Sequence, residues 1–74
     1  MADDIQELDC VALIRDLPAE NLLAGQMGAV VFVHDGAGAY EVEFPIEPRR
    51  SVVLTVQRKD LLKLRGLNPA GVAG

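Results

Sequence analysis

The sequence predicts a small all-β domain, and three observations carry that prediction. Residues 39–44 alternate strictly, with Tyr40, Val42 and Phe44 on one face and Glu41 and Glu43 on the other. That is the period-two signature of a half-buried strand. Two β-branched apolar runs, Val30 to Val33 and Val52 to Leu54, have the composition of strands. Between the first run and the alternating segment stands an Asp35-Gly36 pair, a strong hairpin signal in that position.

A chain of 74 residues is one domain or a fragment of one. A domain this short buries only about 60% of the surface its unfolded chain exposes, so its stability is marginal without assistance. The single cysteine, Cys10, cannot form an internal bridge. Together with the single histidine, His34, it cannot complete a closed zinc site of about four ligands. A compact core, an oligomer, or both are left, and no cofactor or metal is expected.

The net charge of −4 argues against phosphate-backbone binding, which depends on clustered Lys and Arg. Nucleic acid and anionic membrane surfaces are therefore disfavoured as partners. The first seven residues are acidic and lack the basic flank and apolar stretch of a signal peptide. No apolar run approaches the roughly 20 residues that span a bilayer. A cytoplasmic location is expected.

Residues 8–15 mix apolar and polar positions with a rough period of two and are expected to form the first strand. Pro18 stops it, because proline cannot donate to a ladder and steers Leu17 into extended geometry. Residues 19–25 can supply one helical turn but are too short for an independent helix. They are expected to form an ordered loop tucking Leu22 or Leu23 under the fold, with Gly25 allowing a positive φ. Residues 28–34 and 39–44 are the second and third strands, joined through Asp35, Gly36, Ala37 and Gly38. Residues 45–50, with two prolines, read as a loop. Residues 51–56 form the fourth strand, residues 57–60 a tight turn, and residues 61–64 a short closing strand. The expected core includes Val11, Leu13, Val42 and Phe44, and Gly25, Gly28, Gly36 and Gly38 are expected to shape turns.

Five short strands, a longer loop after the first and one short helical turn describe a five-stranded SH3-like (KOW-like) barrel. Closure of the sheet would remove its open edges. The expected organisation is an acidic lead over residues 1–7, the barrel over 8–64 and a loose tail over 65–74, which is rich in glycine and alanine.

The run LDCVALIRDLP, followed by GQMGAVVFV, AYEVEF and DLLKL, resembles a group of small bacterial proteins, the "domain of unknown function 4926" family. The resemblance spans residues 5–64 and implies the same SH3-like fold. Ile14 departs from the polar residue expected there and suggests extra burial on the outer face. The resemblance brings no settled activity with it.

Each chemically suggestive residue has a plainer reading. Glu41 and Glu43 share a face, but catalytic carboxylates need a cleft that splits their pKa values, so both read as solvated surface. His34 beside Asp35 suggests a triad, yet neighbours on a strand point apart, and Cys10, Ser51 and Thr55 lie on other strands without a supporting motif. Cys10 reads as a small packing residue, since no neighbouring cation lowers its pKa. Arg49-Arg50 and Arg58-Lys59 lack interleaved aromatics and read as solvated loop charge. The Gly25 to Gly28 segment lacks a Lys-Ser/Thr ending and precedes a strand, so it is no phosphate loop.

The two apolar runs supply both faces of their strands, and one barrel buries only one of them. The other lies under a loop or against another molecule. Val31, Val33 and Val53 are the expected interface residues, with a homodimer or an unidentified protein as partner. The expected function is a non-catalytic protein–protein interaction module. The alternatives are a small acidic antitoxin-like subunit that masks a basic partner and, third, a KOW-type nucleic-acid module.

Overall fold

The computed structural model describes residues 5–64. The expected lead falls largely, and the expected tail wholly, outside the described residues. Within them the chain forms β1 (Cys10–Leu13), β2 (Met27–Val33), β3 (Ala39–Glu47), β4 (Arg50–Gln57) and β5 (Leu61–Lys63). Three single 3-10 turns join them, at Pro18–Glu20, Asp35–Ala37 and Arg58–Asp60. All neighbours are antiparallel and the sheet order is β4-β3-β2-β1-β5.

The all-β, five-stranded reading holds, but the sheet is not closed into a barrel. Among the described residues β4 pairs only with β3, and β5 only with β1. Two features account for this. β5 has only three residues, and the loop at Arg15 to Glu20 lies beside Leu54 and Thr55, on the side where closure would occur. The sheet still curls enough for its two halves to share one core. Val11 and Leu13 of β1 and Leu61 of β5 pack in the same cluster as Tyr40, Val42, Phe44 and Val56 of β3 and β4. Burying these large side chains at about 25 cal/mol per Å² of apolar surface is the main force holding the fold.

Val11, Leu13, Val42 and Phe44 are all buried, as the alternation predicts. The loop sends Leu22 into the core and leaves Leu23 outside. A bridge between Leu17 and Leu22 closes it, and Asn21 takes the left-handed conformation that turns the chain after the 3-10 turn. Arg15 ties the start of the loop to the turn before β5, donating from Nε to the buried Asp60 at 3.0 Å.

Several boundaries differ from expectation. β1 begins at Cys10 rather than residue 8, because Leu8 has a φ of 72°, which no strand accommodates. Residues 45–47 belong to β3 in spite of Pro45. Here β3 has passed beyond its last pairing with β2 at Glu43 and pairs with β4 alone, so the missing N–H of Pro45 is tolerated. Ile14 is 56% exposed, which overturns the extra burial suggested for it.

The glycines divide by mechanism. Gly25 and Gly36 have φ of +92° and +83°, where only glycine is unstrained. Gly28 is no turn residue. It sits inside β2, where an added Cβ would lie 2.7 Å from the backbone oxygen of Glu43 and 2.9 Å from Phe44. The close approach of β3 requires glycine there. Gly38 has ordinary backbone angles and open space beside it, so nothing in its geometry requires glycine.

Candidate functional site

The outer face of β2, β3 and β4 is built around a single irregularity. Val30 pairs with Val42, but the next pair is Phe32 with Glu41, so Val31 is an extra residue in β2. A bulge of this kind puts two residues opposite one and reverses the inward and outward alternation beyond it. Val31 and Phe32 are accordingly both exposed, the latter by 50%. Val33 instead turns inward and packs against the core. Of the three expected outer-face residues, Val31 and Val53 lie on the surface and Val33 does not. Phe32 takes the outward position that a regular ladder would have given to Val33.

The same shift delivers His34 to the face that carries Glu41. Nε2 of His34 stands 2.6 Å from Oε2 of Glu41, and the Thr55 hydroxyl donates to that same oxygen at 2.6 Å. Thr55 lies directly opposite Glu41 in the ladder, and His34 is its diagonal neighbour, two residues beyond Phe32. The ring of Phe32 meets that of His34 edge to face, with centroids 5.1 Å apart. The Thr55 bond, then the His34 bond, hold the Glu41 carboxyl below its ordinary value. Further along the face, Ser51 donates to Glu43 at 2.6 Å.

The partner of His34 is thus Glu41 across the hairpin, not the adjacent Asp35. The order of groups defines the chemistry. Nucleophile activation places an imidazole between hydroxyl and carboxylate, whereas here hydroxyl and imidazole both donate to one carboxylate oxygen. That arrangement fastens three strands together. Sequence reading missed it because the register of the hairpin was invisible. The one available signal was two apolar runs of equal parity meeting a histidine that a regular ladder would bury.

Beside this cluster the face is apolar. Met27 is 57% exposed and Val53 is 53% exposed. A shallow hollow of about 330 Å³ on this face is lined by Cys10, Met27, Gly28, Ala29, Glu43, Pro45 and Ser51. Cys10 is exposed there, not packed inside as expected, because it pairs with Ala29 on the outward parity of β1. Among the described residues no three His, Cys, Asp or Glu side chains gather as a metal site would require. No helix among them is long and apolar enough to cross a membrane.

An open antiparallel sheet with one buried face and one partly apolar outer face defines a small all-β domain. The chain belongs to the family described as Domain of unknown function (DUF4926), whose model matches residues 7–48, more than half of the sequence. The matched stretch takes in β1, β2 and β3 with the loop and hairpin between them, and β4 and β5 lie beyond it. No curated protein and no solved structure matches the chain.

Proposed function

We propose that the domain is a non-catalytic protein–protein interaction module of the cytoplasm, and that two copies pair through the outer face of β2 to β4. One observation carries this reading. Met27, Phe32 and Val53, three apolar side chains each at least half exposed, share the outer face of β2 and β4, and Met27 lines a hollow on that face. Isolated exposed apolar residues are ordinary on a surface, but a grouped set next to a hollow marks an interaction face. The polar groups of the face, Glu41 and Glu43, are already bonded to Thr55, His34 and Ser51, which lowers the cost of desolvating them.

A two-fold pair needs one self-complementary patch, and burial of about 1,200–2,000 Å² would add the stability that a domain this small lacks. Sedimentation equilibrium across the micromolar range tests the reading. The wild-type chain is expected to dimerise, and Met27→Lys, whose new ammonium meets Glu43 at the rim of the hollow, is expected to stay monomeric and folded. A wild-type chain that remains monomeric at high micromolar concentration overturns the dimer.

A further inference from the structure

The two edges of the sheet are not equally protected. β5 is three residues long and carries Lys63, and short length and lysine are both devices that blunt an edge. β4 has neither. It runs for eight residues, its register from Ser51 to Gln57 is unbroken, and that stretch contains no charge and no proline. Among the described residues its outer edge pairs with nothing.

Beside that edge is a second hollow of about 370 Å³, lined by Arg15, Leu17, Pro18, Ala19 and Glu20 of the loop and by Leu54 and Thr55 of β4. Leu54 and Thr55 are successive strand residues and point to opposite faces. A hollow lined by both therefore lies across the edge of the strand. It is a slot with backbone on one wall and a largely apolar loop on the other. At its rim the Arg15 guanidinium is already paired with Asp60.

We propose that this slot receives an extended segment of a partner protein, added antiparallel or parallel to β4 as a sixth strand. The charges at its ends define the chemistry of that segment. Arg49 precedes β4 and Lys59 follows its end, both exposed, while Arg50 is paired with Glu47 and Arg58 donates to the Leu61 carbonyl. An added strand that is apolar or hydroxyl-bearing in the middle and acidic at both ends complements the edge. A second copy does not, because antiparallel pairing of β4 with β4 about its centre sets Arg49 and Arg50 of one copy against Arg58 and Lys59 of the other. Main-chain bonds supply affinity in this mode, and alternate side chains in the slot supply selectivity. The surface meets the outer face proposed for self-pairing only at Thr55.

The test is a nuclear magnetic resonance titration with a capped synthetic peptide of alternating valine and threonine, carrying a glutamate pair at each end. It should bind saturably and shift the amides of β4 and of Leu17 and Ala19. The same peptide with lysine in place of glutamate should bind at least tenfold more weakly, roughly 1.4 kcal/mol. N-methylation at alternate valines should abolish binding. In the double variant Arg49→Glu, Lys59→Glu, both at exposed positions, the preference should reverse toward the lysine peptide. Met27→Lys should leave peptide binding unchanged, so failure of the dimer and failure of the slot are told apart. Equal affinity for the two peptides, insensitivity to N-methylation, or shifts confined to Met27, Phe32 and Val53 would each overturn the proposal. So would protection of β4 amides that rises with protein concentration alone, the mark of a second copy. Displacement of the peptide by a single-stranded RNA oligonucleotide would overturn it in favour of nucleic acid.

Discussion

The imidazole of His34 reaches across the first hairpin to the carboxylate of Glu41, Nε2 to Oε2 at 2.6 Å, although a regular ladder would place the two on opposite faces. The extra residue at Val31 makes the contact, and Thr55 completes it from β4. The lowered pKa of Glu41 turns this geometry into a pH dependence. A carboxyl whose folded value lies below its unfolded value contributes stability above the unfolded value and loses it as pH falls through the folded one. The difference in urea midpoint between wild type and Glu41→Gln should therefore be fully present just above 4.5, the ordinary value, and should shrink as pH falls below it. Carbon-detected titration of Glu41 should show Thr55→Val raising its midpoint more than His34→Gln does, since the Thr55 bond is the larger cause. A wild-type midpoint at or above 4.5 contradicts the cluster.

Two glycines should respond oppositely to alanine. At Gly28 the new methyl would press on the backbone oxygen of Glu43 at 2.7 Å, and a strand cannot yield there without breaking the ladder. Gly28→Ala should cost at least about 1–3 kcal/mol, the range for overpacking. Gly38 has nothing within 4 Å and a negative φ, so Gly38→Ala should be neutral or slightly stabilising by restricting the unfolded chain. Chemical denaturation of the two variants checks this, and equal effects would refute the close approach of β3.

The alternation in β3 should appear as unequal costs. Phe44 is fully buried in the shared core, and Phe44→Ala should cost about 3–5 kcal/mol. Glu47, exposed at the end of the same strand, should tolerate alanine within about 0.5 kcal/mol. Similar unfolding midpoints for the two variants would mean that the register of β3 is wrong.

These residues also show what a sequence reveals. Tyr40, Val42 and Phe44 were legible because strand period and burial coincide over an uninterrupted stretch, whereas the loop was legible only as far as one of Leu22 and Leu23 filling the core, and the structure selects Leu22. Val33 and His34 were misplaced because a bulge leaves no mark in a run of valines, and one extra residue reverses everything after it. Closure was overestimated for a related reason. Strand count is visible in the sequence, whereas the three-residue length of β5 depends on pairing with β1. The exposure of Cys10 follows from its register with Ala29, which composition does not encode.

The bulge itself gives the most discriminating prediction, because it assigns adjacent apolar residues to different duties. Phe32 stands on the outer face and Val33 packs against the core. Phe32→Ser should therefore leave the unfolding free energy of the monomer within about 0.5 kcal/mol, as exposed positions usually do, apart from the loss of the edge contact with His34. It should also weaken self-association in sedimentation equilibrium. Val33→Ser should do the reverse, lowering stability by about 1–3 kcal/mol through an uncompensated hydroxyl near the core, while association measured well below its unfolding midpoint persists. Deleting Val31 should restore a regular ladder and leave the faces as they are, because Phe32 stays opposite Glu41 and Val33 opposite Tyr40. In that variant the His34 to Glu41 contact persists and the Glu41 carboxyl still titrates below its ordinary value. If Val33→Ser proves harmless to stability and Phe32→Ser unfolds the chain, β2 runs without a bulge and the outer face belongs to Val31 and Val33 after all.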